Sequence, residues 1–178
     1  ARRLGMVGMI KPHIWSNDFW RGGQEWHGTV RQDSPAAHAR WWSSYRRFIL
    51  HHARLAQQGK ADALCIGTEL VRMSTQYPQE WKALIADVRK VFEGKLTYCA
   101  HHDGEWKQIA FWQELDVIGV SAYFPLDVAP GAKAAELARA WQPHREQLSQ
   151  LATKHGRKIV FAEVGYRPVA DTHQKPWI

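Results

Sequence analysis

Five short runs rich in Val, Ile and Leu punctuate the chain, at about 6–11, 63–67, 95–100, 117–122 and 158–162. Longer stretches with apolar residues at three- and four-residue steps separate them. That alternation is what βα units need when a parallel sheet is buried on both faces. The first long helix is signalled by Asp33, Ser34 and Pro35, a polar cap followed by proline in the opening turn. It presents Trp41, Tyr45, Phe48, Ile49 and Leu55 on one face and stops at Gly59. A second begins near Pro78, carries Trp81, Leu84, Ile85, Val88 and Phe92 at helical spacing, and ends at Gly94. A short helix at about 106–115 and a longer one at about 132–155 complete the α/β reading.

The helix-to-strand connections are tight ("QQGKAD", "EGK", "HGRK"), whereas the strand-to-helix connections are long and carry Trp, Arg, His and Gly. In parallel α/β folds, ligands collect at the carboxyl ends of strands, where the second kind of connection lies. Two apolar strands run into a glutamate at that end: "ALCIGTEL" delivers Glu69 and "KIVFAEVGYRP" delivers Glu163. An unpaired buried carboxylate is costly, so two such placements on one rim call for a shared purpose. A glycosidase supplies one, because it needs one carboxyl protonated for the leaving oxygen and another ionised toward the sugar carbon, with their environments separating the pKa values. For a retaining enzyme the two carboxyls should stand roughly 5–5.5 Å apart. Structural ion pairs and metal sites also use acids at strand ends, and both remain alternatives at this point.

Composition narrows the partners. The net charge of +7 comes from 24 Lys and Arg scattered among 17 acids, with no like-charge block of the sort that binds nucleic acid, so a solvated surface is expected. Cys65 and Cys99 each sit inside an apolar run, which suits reduced core thiols better than a disulfide or zinc site. The histidines, His51 and His52 among them, lack an H-E-x-x-H or H-x-H arrangement, so neither metal nor cofactor is expected. No apolar run is long enough to span a bilayer, and "ARRLGMVGMI" has neither a start Met nor a signal-peptide layout, so export is not read from it. Ten Trp need either a large core or a stacking surface; Trp41, Trp42 and Trp81 fall at helical spacing and are assigned to the core.

The motifs "KPHIW", "CIGTEL", "LTYCAHH", "FWQELDVIGVSAYFPL" and "FAEVGYRP", in this order across essentially the whole chain, resemble glycoside hydrolase family 113. These are (β/α)₈ β-mannanase-like enzymes of the large retaining clan. The resemblance implies that Glu69 is the acid/base and Glu163 the nucleophile of a double displacement. Under that reading Tyr123 hydrogen-bonds Glu163, and Arg167, four residues beyond it, is a second candidate for keeping it charged. His13 and Trp15, with Trp20, Arg21 and Trp26 in the loop that follows, form a wall of the glycan groove, since sugar C–H faces stack on aromatic rings. His101 and His102 depart from the Asn and aromatic pair expected in relatives. His101 can still donate to a sugar hydroxyl, though its charge would vary with pH.

Aligned with the clan, the five strands correspond to the third through seventh of a (β/α)₈ TIM barrel, so 1–178 reads as an incomplete catalytic domain without the first two strands and the last. An open five-stranded sheet with exposed apolar edges is predicted, inactive on its own. The expected activity is endo-acting hydrolysis of β-1,4-mannan or a related β-linked hexose polymer. A catalytically silent carbohydrate-binding or scaffold protein on the same fold is the alternative.

Overall fold

The computed structural model describes residues 4–19 and 25–177. Its strands are β1 (Met9–Ile10), β2 (Ala63–Thr68), β3 (Lys95–Ala100), β4 (Val117–Ser121) and β5 (Lys158–Glu163). They pair in chain order, every neighbour parallel, into one sheet that curls as half of a (β/α)₈ barrel. The helices are α1 (Pro35–Gln58), α2 (Val71–Gln76), α3 (Pro78–Arg89), α4 (Glu105–Gln108), α5 (Ala134–Ala140) and α6 (Gln142–His155).

Local chemistry explains most boundaries. The Ser34 hydroxyl accepts from the Ala37 amide at 3.2 Å and caps α1, with Pro35 in the first turn. The helix expected at about 132–155 is two: α5 ends at Ala140, and α6 starts afresh with Pro143, which is tolerated only where its missing N–H has no intrahelical partner. The stretch at about 106–115 likewise divides, into α4 and a 3₁₀ turn at Trp112–Glu114. Strand β1 is shorter than expected, two paired residues, and Pro12, which has no N–H to donate to a ladder, follows two residues after Ile10.

Leu64, Ile66, Leu96, Tyr98, Ile118 and Val120 face the helices and join Ile49, Trp81, Leu84 and Phe111 in one buried cluster. Trp41 and Trp42 are partly buried against it, as their spacing suggested. Cys65, Thr97, Cys99 and Ser121 are buried outside that cluster, and Cys99 Sγ lies 3.1 Å from Ser121 Oγ. Both cysteines are free thiols. Strands β3 and β4 approach so closely that a Cβ on Gly119 would fall 2.4 Å from the Tyr98 carbonyl oxygen, so no larger residue fits there.

The apolar edge expected on the last strand is present. Val160 and Phe161 are 39% and 47% exposed, and a groove of about 570 Å³ lined by Trp141, Leu148, Ile159 and Phe161 runs beside them. Among the described residues no helix is long and apolar enough to cross a membrane.

Candidate active site

Each glutamate reaches the rim through an irregularity in its strand. On β5, Phe161 pairs with Val120 but Glu163 pairs with Ser121, leaving Ala162 as an extra residue. Side chains alternate along a strand, so in an even register Ser121 would face Ala162 and Glu163 would follow Ala122 toward the helices. The bulge turns Glu163 instead onto the Ser121 side, the inside of the curl. On β2, two residues lie between Cys65 and Thr68 while one lies between their β3 partners, Thr97 and Cys99. Gly67 lies inside this second irregularity, and a Cβ there would meet Trp81 at 2.7 Å and Tyr98 at 2.8 Å. Glu69 follows at φ +50°, a left-handed conformation that costs a non-glycine residue roughly 1–2 kcal/mol.

Both glutamates line one cleft of about 980 Å³, together with Trp26, His27, His101, His102, Tyr123, Phe124, Arg167 and Trp177. The Glu163 carboxylate receives the Lys11 ammonium on Oε1 and the Tyr123 hydroxyl, at a long 3.4 Å, on Oε2. Lys11 follows β1, the opposite edge strand, so this ion pair spans the curl. Burial pushes the Lys11 ammonium down, and the hydrogen bond and charge of Glu163 outweigh it, holding the group above its ordinary range. Burial raises Tyr123, and the adjacent Glu163 charge adds to the effect, so the phenol stays a donor.

Glu69 has a different environment. Its Oε2 lies 3.2 Å from His27 Nε2, a contact with both side chains largely out of solvent. Burial pushes its carboxyl up, but the His27 and Ser121 hydrogen bonds and the charges of His101 and His27 prevail, so it rests below the usual carboxylate range. Burial holds His101 down, partly offset by Glu69 and Asp103. His102 is pushed down to about 4, by burial first and then by His101.

Trp26, His101, Tyr123 and Arg167 therefore border the same cleft as the two acids. The cation that meets Glu163 is Lys11 rather than Arg167. His13 is exposed and does not line the cleft, its ring edge-on to His27 at 4.7 Å. Trp15 is 67% exposed, packs edge-on against Phe19 and does not line the cleft. Trp20 and Arg21 lie outside the described residues. Lys11 and His27 were missed by sequence reasoning. Lys11 had a usable signal, a charge closing an apolar strand as Glu69 and Glu163 do, whereas His27 lies in a loop with no pattern to single it out. Among the described residues no group of three or more His, Cys, Asp or Glu could hold a metal ion.

The family model for Glycoside Hydrolase Family 113 matches residues 1–178. Among solved structures, the chain is similar to the GH113 β-mannanase of Alicyclobacillus acidocaldarius in complex with ManMIm, with 27% identity and a TM-score of 0.81, covering 99% of this chain and 52% of that one. A second GH113 β-1,4-mannanase structure is 23% identical with a TM-score of 0.80 and the same coverage. A β-glucuronidase from Ruminococcus gnavus shares the fold more distantly, at 12% identity and a TM-score of 0.59 over 76% of this chain and 23% of that one. No curated protein matches the chain. It spans about half the length of the GH113 structures it matches. The chain belongs to glycoside hydrolase family 113.

Proposed function

We propose that this chain carries the catalytic core of a retaining, endo-acting glycosidase for β-1,4-mannan or a related β-linked hexose polymer, as strands three to seven of its barrel. The observation that carries the reading is the pair of strand-end glutamates turned by local irregularities into one cleft. The environment of Glu163 suits a nucleophile, since an ammonium and a phenol both donate to its carboxylate and hold it in place. Its attack on the anomeric carbon forms a glycosyl ester while the glycosidic bond breaks. Glu69 gives its proton to the departing oxygen, then takes one from the water that cleaves the ester. A proton on Glu69 Oε2 makes the acid needed for the first step, and the His27 ring in contact with that oxygen is placed to pass one to it. Mannan is favoured because the A. acidocaldarius relative is a β-mannanase.

The test is to incubate the whole protein with mannan, xylan and cellulose oligomers and to follow the anomeric protons of the first product. Cleavage of manno-oligomers with initial β-anomer supports the proposal. Initial α-anomer contradicts retention, and binding without cleavage by an intact fold would instead mark a silent carbohydrate-binding protein. The 178-residue chain alone is expected to show no turnover, because its sheet leaves β1 and β5 unpaired on their outer edges.

A further inference from the structure

Glu105 does not line the cleft and is 0% exposed, yet it is tied to both turns that do. It opens α4, a single helical turn, and its carboxylate accepts three hydrogen bonds. Oε1 accepts from the Ser74 hydroxyl at 2.5 Å and the Tyr98 hydroxyl at 2.6 Å, and Oε2 accepts from the His101 amide at 2.6 Å. The Tyr98 hydroxyl in turn accepts from the Leu70 amide at 2.7 Å. On the other side of Leu70, the Glu69 amide donates to the Cys99 carbonyl at 2.8 Å.

We propose that Glu105 is a positioning residue: through Tyr98, Ser74 and the His101 main chain it fixes the turns that present Glu69 and His101 to the cleft. The proposal rests on Glu69 being the acid/base. A carboxylate this deep is costly unless donors meet its lone pairs, and an apolar side chain could fill the same space without that cost. All three of its donors belong to segments flanking the cleft. Ser74 is on α2, which starts two residues after Glu69, and Tyr98 and His101 bracket the end of β3. The Leu70 amide precedes the first turn of α2, where no intrahelical acceptor exists, so the Tyr98 hydroxyl supplies one. A left-handed glutamate persists only where its surroundings over-determine it, and bonds to the amides of Glu69 and Leu70 do so.

The test uses the whole protein with isotope-labelled Glu and His, following side-chain resonances by NMR in Tyr98→Phe and Glu105→Gln. Tyr98→Phe removes the phenol and leaves the Glu105 carboxyl in place. Glu105→Gln keeps the shape, with its amide nitrogen able to face Ser74 and Tyr98 and its oxygen His101. The His52 signal should be unchanged in both, since its ring packs against Phe48 on α1, away from this network. The Glu69 titration should rise by about half a unit or more as its contact with His27 loosens, and the His27 and His101 signals should move with it. Unmoved Glu69 and His27 signals in both variants overturn the proposal. If either variant fails to fold, Ser74→Ala, which leaves the carboxylate two donors, reads the same titration, with a smaller rise expected and no change overturning the proposal. None of these readouts needs turnover, so a whole protein that fails to hydrolyse glycans is a separate result.

Discussion

Glu163→Ala in the whole protein is expected to lower kcat by roughly a thousandfold or more, the scale seen when a covalent nucleophile is removed. Glu69→Ala should behave differently. With a natural sugar leaving group its loss should be comparable, but a glycoside of an acidic phenol needs little protonation and should retain far more of its first-step rate. Added azide separates the two roles. In Glu69→Ala it attacks the glycosyl ester and gives a glycosyl azide of retained configuration, whereas in Glu163→Ala it takes the nucleophile's place and gives the inverted one. Exchange of these outcomes between the variants would reverse the two assignments. The different partners of the acids, Lys11 and Tyr123 on Glu163 against His27 on Glu69, are the structural reason for expecting two roles.

The second large effect is on stability. Burial pushes the Glu105 carboxyl up to about 7 from an ordinary 4.5, against the pull of the His101 amide, Ser74 and Tyr98. A folded-state value above the unfolded one means the native chain holds the proton more tightly. The contribution is then fully present below about 4.5 and is lost as the pH rises through about 7. Between pH 5 and 8 this amounts to about 2.5 kcal/mol. His102 works the other way, since a depressed histidine favours the folded state above its unfolded value of 6.5 and loses that contribution as the pH falls toward about 4. Glu69 and Asp87, both held low, add their pH dependence below this window. The difference between wild type and Glu105→Gln therefore isolates the group. Urea unfolding should show wild type losing about 2.5 kcal/mol relative to the variant from pH 5 to pH 8. A difference that stays flat across that range would contradict a Glu105 that titrates while buried.

Much of the architecture was legible from period and punctuation. Ser34 and Pro35 mark the start of α1, and the runs at 95–100 and 158–162 coincide with β3 and nearly with β5. The break at Trp141 was harder to see, because an apolar pattern continues through it while Pro143 alone starts the new helix. The two acids were visible because each interrupts an apolar run. The bulge at Ala162 was not, since register is a property of two strands together and neither strand shows it alone. Pairing across the curl was hidden for the same reason: Lys11 and Glu163 are 152 residues apart and meet only when the sheet bends. Glu105 carried no signal in the sequence, lying just before the short helix expected at about 106–115, and only burial among Ser74, Tyr98 and His101 distinguishes it.

Glu163 is expected to attack the sugar while Glu69 handles the proton. Incubating the whole protein with a 2-deoxy-2-fluoro glycoside carrying a good leaving group slows ester hydrolysis enough to hold the intermediate, and peptide mapping by mass spectrometry locates it. One sugar is expected on the peptide that contains Glu163, and none in Glu163→Ala. A sugar on Glu69, or turnover of this substrate with inversion and no adduct, would contradict it.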